Sequence, residues 1–390
     1  MIPQNTNWNF PTAIWFGNGR IKEIVNACQQ LNIQNPLFVT DEGLVNINIV
    51  KNTTDILKAA GIQFNVYSNV QGNPTGKNVT DGVAFYKENG HDSVIAFGGG
   101  SALDAGKTIA FMSGQTLSLW DFEDIGPNWR LADPTGIAPI IAIPTTAGTG
   151  SEVGRAAVIL DEEQQSKKII FHPGMLPNII ISDPELTLGL PPHITAWTGI
   201  DAMVHAMEAY CAPGYHPMAE GIAIEAIRMI AKYLPMAVAD GQNLEARGNM
   251  LTASSMGAVS FQKGLGSIHS VAHQLGAIYN IQHGLANSIL LPYGLKQNAS
   301  AIEEKMVHLS IVLGLANPGT DAVINYVLEL RKQLNIPHTL KEVGIDDKLA
   351  VEIGRKAFDD PSTPTNAKPV DAHDLQNLFL AALEGNLENL

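Results

Sequence analysis

SVIAFGGGSALDAGK, residues 93–107, decides the fold. Five apolar or small residues form a strand, three glycines follow at once, and a helical pattern begins behind them. A strand that runs through glycines into a helix is the repeating joint of an α/β protein. The three glycines let backbone approach an anion. The helix start offers unbonded N–H groups and the positive end of its dipole. Gly98, Gly99, Gly100 and Ser101 are therefore candidate phosphate-binding residues, with Asp104 and Lys107 on the first turns of the helix. The spacing is not GxGxxG, so a plain tight turn is the competing reading.

Working outward, short β-branched and apolar runs recur at residues 37–40, 64–68, 140–143 and 179–182. Helical patterns at 44–60 and 78–89 lie between the early ones. This alternation predicts a doubly wound, mostly parallel sheet. Residues 156–171 read instead as a hairpin, AAVIL and KKIIF joined by a polar turn. After Pro191-Pro192 the strand signal fades, and long helical patterns follow at 194–212, 218–237, 244–261 and 302–313. The expectation is an α/β dinucleotide-binding domain over 1–189 and an all-helical domain over 190–390. With 390 residues, 45% of them hydrophobic, the chain has material for two cores. Residues 358–370 hold three prolines and read as a loop, either functional or mobile.

A net charge of −14 argues against a nucleic-acid partner, which needs clustered Lys and Arg. Cys28 and Cys211 form no CxxC, which excludes thiolate zinc sites and disulfide frameworks. The N-terminus has no basic start or apolar run of a secretory signal. The most apolar stretch, 137–143, is far too short to span a membrane. A cytoplasmic protein is expected. Trp8 and Trp15 read as anchoring aromatics.

The loop PTTAGTGS, 144–151, also follows a strand and carries four hydroxyls and two glycines. Thr145, Thr146 and Thr149 are candidate contacts to a diphosphate or ribose, because ligands of such sheets sit at the carboxyl ends of the strands. Asp41 ends the strand at 37–40. It could bind a ribose 2′-hydroxyl, but from sequence alone it reads first as a helix N-cap.

The second half holds a different chemistry. Asp201 and His205 are four apart, as are His269 and His273, and His283 follows ten residues later. Residues four apart share a helix face, so the set can converge on a divalent ion. Carboxylate and imidazole suit iron(II), zinc, manganese or nickel. There are five candidates for four places, and their order does not name the spare one. The spare histidine is the natural acid/base, since imidazole titrates near neutrality. His91, His172, His193, His216, His308, His338 and His373 stand singly and read as structural.

GGGSALDAGK (98–107), PTTAGTGSEV (144–153), DAMVHAMEAY (201–210) and GLGSIHSVAHQLGAIYNIQHGLANSILLP (264–292) closely resemble the iron-containing, group III alcohol dehydrogenases. The similarity runs from FGNG at 16–19 to the loop near 366. It implies a dehydroquinate-synthase-like architecture with the active site in a cleft between the two domains. It also implies a homo-oligomer, a dimer, acting on a small-molecule alcohol or aldehyde. The resemblance gives the metal places to Asp201, His205, His269 and His283 and leaves His273 for proton relay. The ion implied is iron(II), with zinc or another divalent metal as alternatives. Asp41 matches the position that favours NAD over NADP, while Asn73 and Lys167 match residues near the cofactor. Two positions depart from the family: an asparagine near the nicotinamide is Ala156 here, and Asn-Pro-Arg in the C-terminal loop is Asn366-Ala367-Lys368.

The expected reaction is reversible oxidation of small primary alcohols or diols with NAD. Lys263, near the histidines, suggests a 4-hydroxy acid as an alternative substrate if it meets a carboxylate; its plainer reading is a solvated surface charge. A lyase of related architecture would need a basic cluster that the helical half lacks. A non-catalytic nucleotide-binding module with a structural metal is the remaining rival.

Overall fold

The structure is a computed structural model that describes residue 10 and residues 12–390. Trp8 lies outside the described residues. The chain divides into two compact units that part between Gly189 and Leu190.

The first unit is an α/β layer structure. Its elements are β1 (Ala13–Phe16), α1 (Ile24–Gln30), β2 (Pro36–Val39), α2 (Asn48–Ala59), β3 (Asn65–Tyr67), α3 (Gly76–Glu88), β4 (Ser93–Gly98), α4 (Gly100–Met112), β5 (Ile140–Pro144), β6 (Ala156–Asp161), β7 (Ser166–Phe171) and β8 (Ile179–Ser182). Six strands form a parallel sheet in the order β1-β8-β5-β4-β2-β3. β6 and β7 form the separate antiparallel hairpin. Every residue of β2, β4, β5 and β8 is buried, which explains their unbroken apolar runs. β1 and α1 were not evident in the sequence. β1 is four residues at the sheet edge and is largely exposed, so it shows no period; its Trp15 packs on the core.

The strand order fixes where a ligand belongs. From β2 the chain passes to β3 on one side, then returns to β4 on the other. The sheet therefore reverses its winding between β2 and β4, and the carboxyl ends of these strands flank the switch point. Asp41 follows β2, and Gly98 ends β4. The register sets Gly98 opposite Pro144, so the two glycine-bearing loops leave the sheet side by side.

The second unit is helical: α5 (Pro192–Cys211), α6 (Pro217–Ala239), α7 (Leu244–Ser260), α8 (Ser267–Tyr279), α9 (His283–Val312), α10 (Thr320–Gln333), α11 (Ala350–Phe358) and α12 (Ala372–Glu384). α5 is buried on nearly all sides and packs against α6, α7 and α9. Close approach depends on glycine. A Cβ on Gly284 would stand 2.6 Å from Trp197 O, and one on Gly257 would stand 3.0 Å from Ala202 O. α9 is far longer than its 302–313 signal, because Pro292 lies inside it and masks its first half. Among the described residues no helix is long and apolar enough to cross a membrane.

Candidate metal centre and dinucleotide cradle

The loops after β2, β4 and β5 interlock. Gly98 has φ +149, and a Cβ there would meet Ala102 Cβ at 2.7 Å and Asp41 Oδ2 at 3.2 Å. Asp41 thus lies against the glycine turn at the switch point. It does not cap α2, which starts later at Asn48; its Oδ1 instead accepts a hydrogen bond from Leu44 N at 3.0 Å. Burial raises its pKa, against the Leu44 amide. Gly99 faces Thr146, which an added Cβ would reach at 3.3 Å, and Gly100 faces Thr149 at 2.5 Å. Thr145 N continues the sheet by donating to Gly98 O. Ser101 Oγ donates to Gly72 O at 2.7 Å, drawing the segment with Asn73 to the start of α4. Lys167 on β7 pairs in register with Leu160, whose N–H donates to Pro74 O. Asn73 and Lys167 therefore belong to adjoining segments.

Asp104 and Lys107 face inward. Asp104 accepts from Val158 N and from Ser151 Oγ. Lys107 is fully buried and donates to Ser151 O at 2.9 Å and to Ala156 O at 2.5 Å. Burial lowers its pKa, with Asp104 opposing. Together they clamp the 145–156 loop onto α4. Each oxygen of Asp104 accepts from a protein donor, which gives the residue a bracing role between α4 and this loop.

In the helical unit, Asp201 and His205 come from α5, His269 from α8 and His283 from the first position of α9. Their ligand atoms all lie within 4.8 Å of one another. His283 Nε2 stands 3.7 Å from Asp201 Oδ1. Two donors bound to one ion at ordinary lengths, roughly 2.0–2.2 Å, stand about 3–4 Å apart. One carboxylate and three imidazoles at this spacing fit a borderline divalent ion. Asn287, one turn past His283, donates through Nδ2 to Asp201 Oδ1 at 2.6 Å and lies 3.2 Å from His269 Nε2 and 3.1 Å from His283 Nε2. Asp201 and His269 are buried, whereas the His283 side chain is 22% exposed, so the open side is at His283. Phe261 packs on His205 with ring centres 5.2 Å apart.

His273 sits one turn beyond His269 and stacks on His283, ring centres 5.4 Å apart. Its Nδ1 pairs with Asp360 Oδ2 at 2.9 Å, and both residues are buried. The 358–370 segment is thus a brace. Thr363 Oγ1 donates to Ser270 Oγ, Thr365 Oγ1 accepts from Leu265 N, and Asn366 Oδ1 accepts from Ser267 N. Glu208 holds the same helix start from α5: Oε1 accepts from Ile268 N at 2.8 Å, and Oε2 lies 2.5 Å from His269 Nδ1. Burial disfavours a charged His269, but Glu208 outweighs it and raises the pKa. Sequence reading missed Glu208, Asn287 and Asp360. The first two share a face with ligands already named, three residues past His205 and four past His283, so the helical spacing carried a signal. Asp360 carried none.

Lys263 corrects the expectation twice. It is neither a surface charge nor available to a substrate. Its buried Nζ donates to Tyr210 O, Ala212 O and Glu220 Oε1, closing the C-terminal end of α5. Burial brings its pKa down to about 8. Of the single histidines, His172 and His216 are buried and accept local backbone N–H groups at Nδ1, and the buried His91 pairs through Nδ1 with Asn35 O, 56 residues earlier.

A dinucleotide-type sheet and an Asp-His-His-His cluster in one chain are the parts of a metal-dependent dehydrogenase. Residues 11–184 match the model of the iron-containing alcohol dehydrogenases, and residues 195–383 match the C-terminal model of the same family. The chain belongs to the iron-containing alcohol dehydrogenase family. It is 35% identical to the 4-hydroxybutyrate dehydrogenase of Cupriavidus necator, over 94% of this chain and 97% of that one. It is 32% identical to the NAD-dependent methanol dehydrogenase of Bacillus methanolicus, over 97% of this chain and all of that one. A solved 1,3-propanediol oxidoreductase superposes with a TM-score of 0.92 at 33% identity, covering 97% of this chain and 100% of that one.

Proposed function

We propose that this chain is an NAD-dependent, divalent-metal-dependent alcohol dehydrogenase that interconverts small primary alcohols or diols with their aldehydes. The observation that carries the reading is the convergence of Asp201, His205, His269 and His283 within 4.8 Å, with the buried His273–Asp360 pair beside them. Asp201, His205, His269 and His283 would hold the ion. A divalent ion supplies Lewis acidity toward an alcohol oxygen, and nicotinamide supplies the hydride acceptor.

The remaining roles fall to side chains and backbone. Asp41 offers its carboxylate to a ribose 2′-hydroxyl and repels a 2′-phosphate, which favours NAD over NADP. The amides at Gly98, Gly99, Gly100 and Ser101 and the hydroxyls of Thr145, Thr146 and Thr149 face the pyrophosphate. Asn73 and Lys167 contact the cofactor from the adjoining segments. Asp360, as an acceptor, keeps the His273 proton on Nδ1, which leaves Nε2 to take the proton of the alcohol. The ion proposed is iron(II), with zinc second. The protein is proposed to act as a homodimer in the cytoplasm.

The similarity to a 4-hydroxybutyrate dehydrogenase keeps a 4-hydroxy acid as a second reading. Lys263 does not support it, because its ammonium is committed to α5 and Glu220. The test follows NADH formation with a panel of primary alcohols, diols and 4-hydroxybutyrate, after loading with iron(II) or zinc. Turnover of the small alcohols is expected. No turnover of any substrate with either metal would sink the proposal. Elemental analysis of protein purified without added metal addresses the ion, and light scattering addresses the dimer.

A further inference from the structure

We infer that Glu208 selects which nitrogen of His269 faces the ion, and so sets how tightly the helical unit holds a divalent metal. The inference rests on the ligand assignment proposed above. Asp201, His205 and Glu208 share one face of α5, and the Glu208 side chain is 7% exposed. Its Oε2 lies on His269 Nδ1, while His269 Nε2 points toward Asn287 Nδ2 and its neighbours Asp201 Oδ1 and His283 Nε2. An ionised carboxylate only accepts, so the proton on the shared edge belongs to His269 Nδ1. Nε2 is then left with its lone pair aimed into the cluster. A carboxylate behind a ligand histidine fixes both the tautomer and the ring rotation in this way.

The second oxygen of Glu208 makes the requirement stricter. The α8 N-cap, Gly266, supplies no side-chain cap, and Oε1 of Glu208 takes up Ile268 N instead. Glu208 must therefore accept at both oxygens. Glutamine has the same shape but cannot. With its oxygen on Ile268 N, its NH2 donates to His269 Nδ1 and moves the ring proton to Nε2, where the ion belongs. With the amide turned over, NH2 faces the Ile268 N–H, donor against donor. Either arrangement works against metal binding.

The experiment titrates the metal-free full-length chain with zinc in competition with a chromogenic chelator. Glu208→Gln is expected to weaken zinc binding by roughly tenfold to a hundredfold, the usual effect of losing such a partner. Asn366→Ala loosens the same helix start by removing the acceptor of Ser267 N but leaves the Glu208–His269 pair intact. It is expected to stay within about threefold of wild type, as a change outside the carboxylate–histidine pair. Wild-type affinity in E208Q overturns the inference. So does an equal loss in N366A, since the effect would then come from a loosened helix end. Should E208Q not fold, Glu208→Asp and Glu208→Asn repeat the comparison of carboxylate with amide at equal size, with tighter binding expected for Asp and equal binding overturning the inference. His269→Ala separates the two levels of the reading. If H269A binds zinc like wild type, the ligand assignment itself is wrong. If H269A loses zinc and E208Q does not, only the role of Glu208 is.

Discussion

Replacing Gly100 by alanine tests whether the loops after β4 and β5 form one cradle. Gly100 is the first residue of α4 and lies outside the left-handed region, so its backbone accepts alanine. On propensity alone, alanine would favour the helix by about 0.5–1 kcal/mol. The new Cβ, however, would stand 2.5 Å from Thr149 Cγ2 and 2.9 Å from its Oγ1. Overpacking of this kind costs about 1–3 kcal/mol. The clash therefore wins, and the structure relieves it by pushing the 145–149 loop away from 98–101. If that displacement falls on the cofactor site, NADH should bind about fivefold to a hundredfold more weakly, at tenfold per 1.4 kcal/mol. The assay is fluorescence titration with NADH, beside a thermal melt. Thr149→Ala removes both of the nearest atoms, so G100A/T149A should recover much of the loss that G100A shows alone. The readout is the coupling between the two substitutions. Wild-type NADH affinity in G100A, or no coupling with T149A, would refute the shared cradle.

Other substitutions probe the helical unit. His269→Ala and His283→Ala should each remove bound metal and activity together, and a chelator should lower the melting temperature of the wild type but not of these variants, read by calorimetry. His273→Ala should cut kcat by about 10²–10⁴ as the loss of a general base, and Asp360→Asn by a part of that, with metal content unchanged in both. Steady-state kinetics with elemental analysis checks this, and loss of metal in Asp360→Asn would count against it. Lys263→Ala should destabilise the fold by about 1–3 kcal/mol through its unmet acceptors, while KM for alcohols and 4-hydroxybutyrate stays the same. Glu220 gives a pH signature. Burial raises its pKa, but the hydrogen bonds from Lys263 and Lys305 overcome this and hold it below the ordinary 4.5. A depressed carboxylate contributes stability that is present above the unfolded pKa and is lost as pH falls through the folded value. Urea curves of wild type and Glu220→Gln should therefore differ by a constant amount between about pH 5.5 and 7, converge below 4.5, and draw closer again as Lys263 loses its proton near pH 8. A gap that widens on acidification would contradict the assignment.

Periodicity made the strands β2 to β8 and the helices α2 to α7 legible, because buried parallel strands read as short apolar runs and amphipathic helices as spaced ones. It failed at β1, where exposure leaves nothing periodic, and over the first half of α9, where Pro292 imitates a helix end. In the site, side chains joined along one helix could be read. Asp201 with His205 and His269 with His273 showed their four-residue spacing, and Glu208 stood in the same register. Partners far apart in sequence could not. Asp360 reaches His273 across 87 residues, and Lys263 finds Tyr210, Ala212 and Glu220 at separations of 43 to 53. Lys263 shows how this misleads: a lone lysine beside histidines suggests substrate charge recognition, yet three acceptors from another part of the chain had already claimed it.

The glycines between the helices of the second unit have a consequence for variation. Gly284 touches the α5 backbone next to Asp201, Gly257 lies against Ala202 and His205, and Ile268 fills the space that a Cβ on Gly294 would need. Each is adjacent to a proposed ligand or its helix, and none has room for even a methyl group without moving a backbone or a buried isoleucine. Substitutions there displace a ligand-bearing helix before they alter any substrate contact. Neutral drift around the ion is therefore closed from behind. New substrate preferences have to arise from residues on the open side, near His283, where a changed side chain leaves the helix spacing untouched.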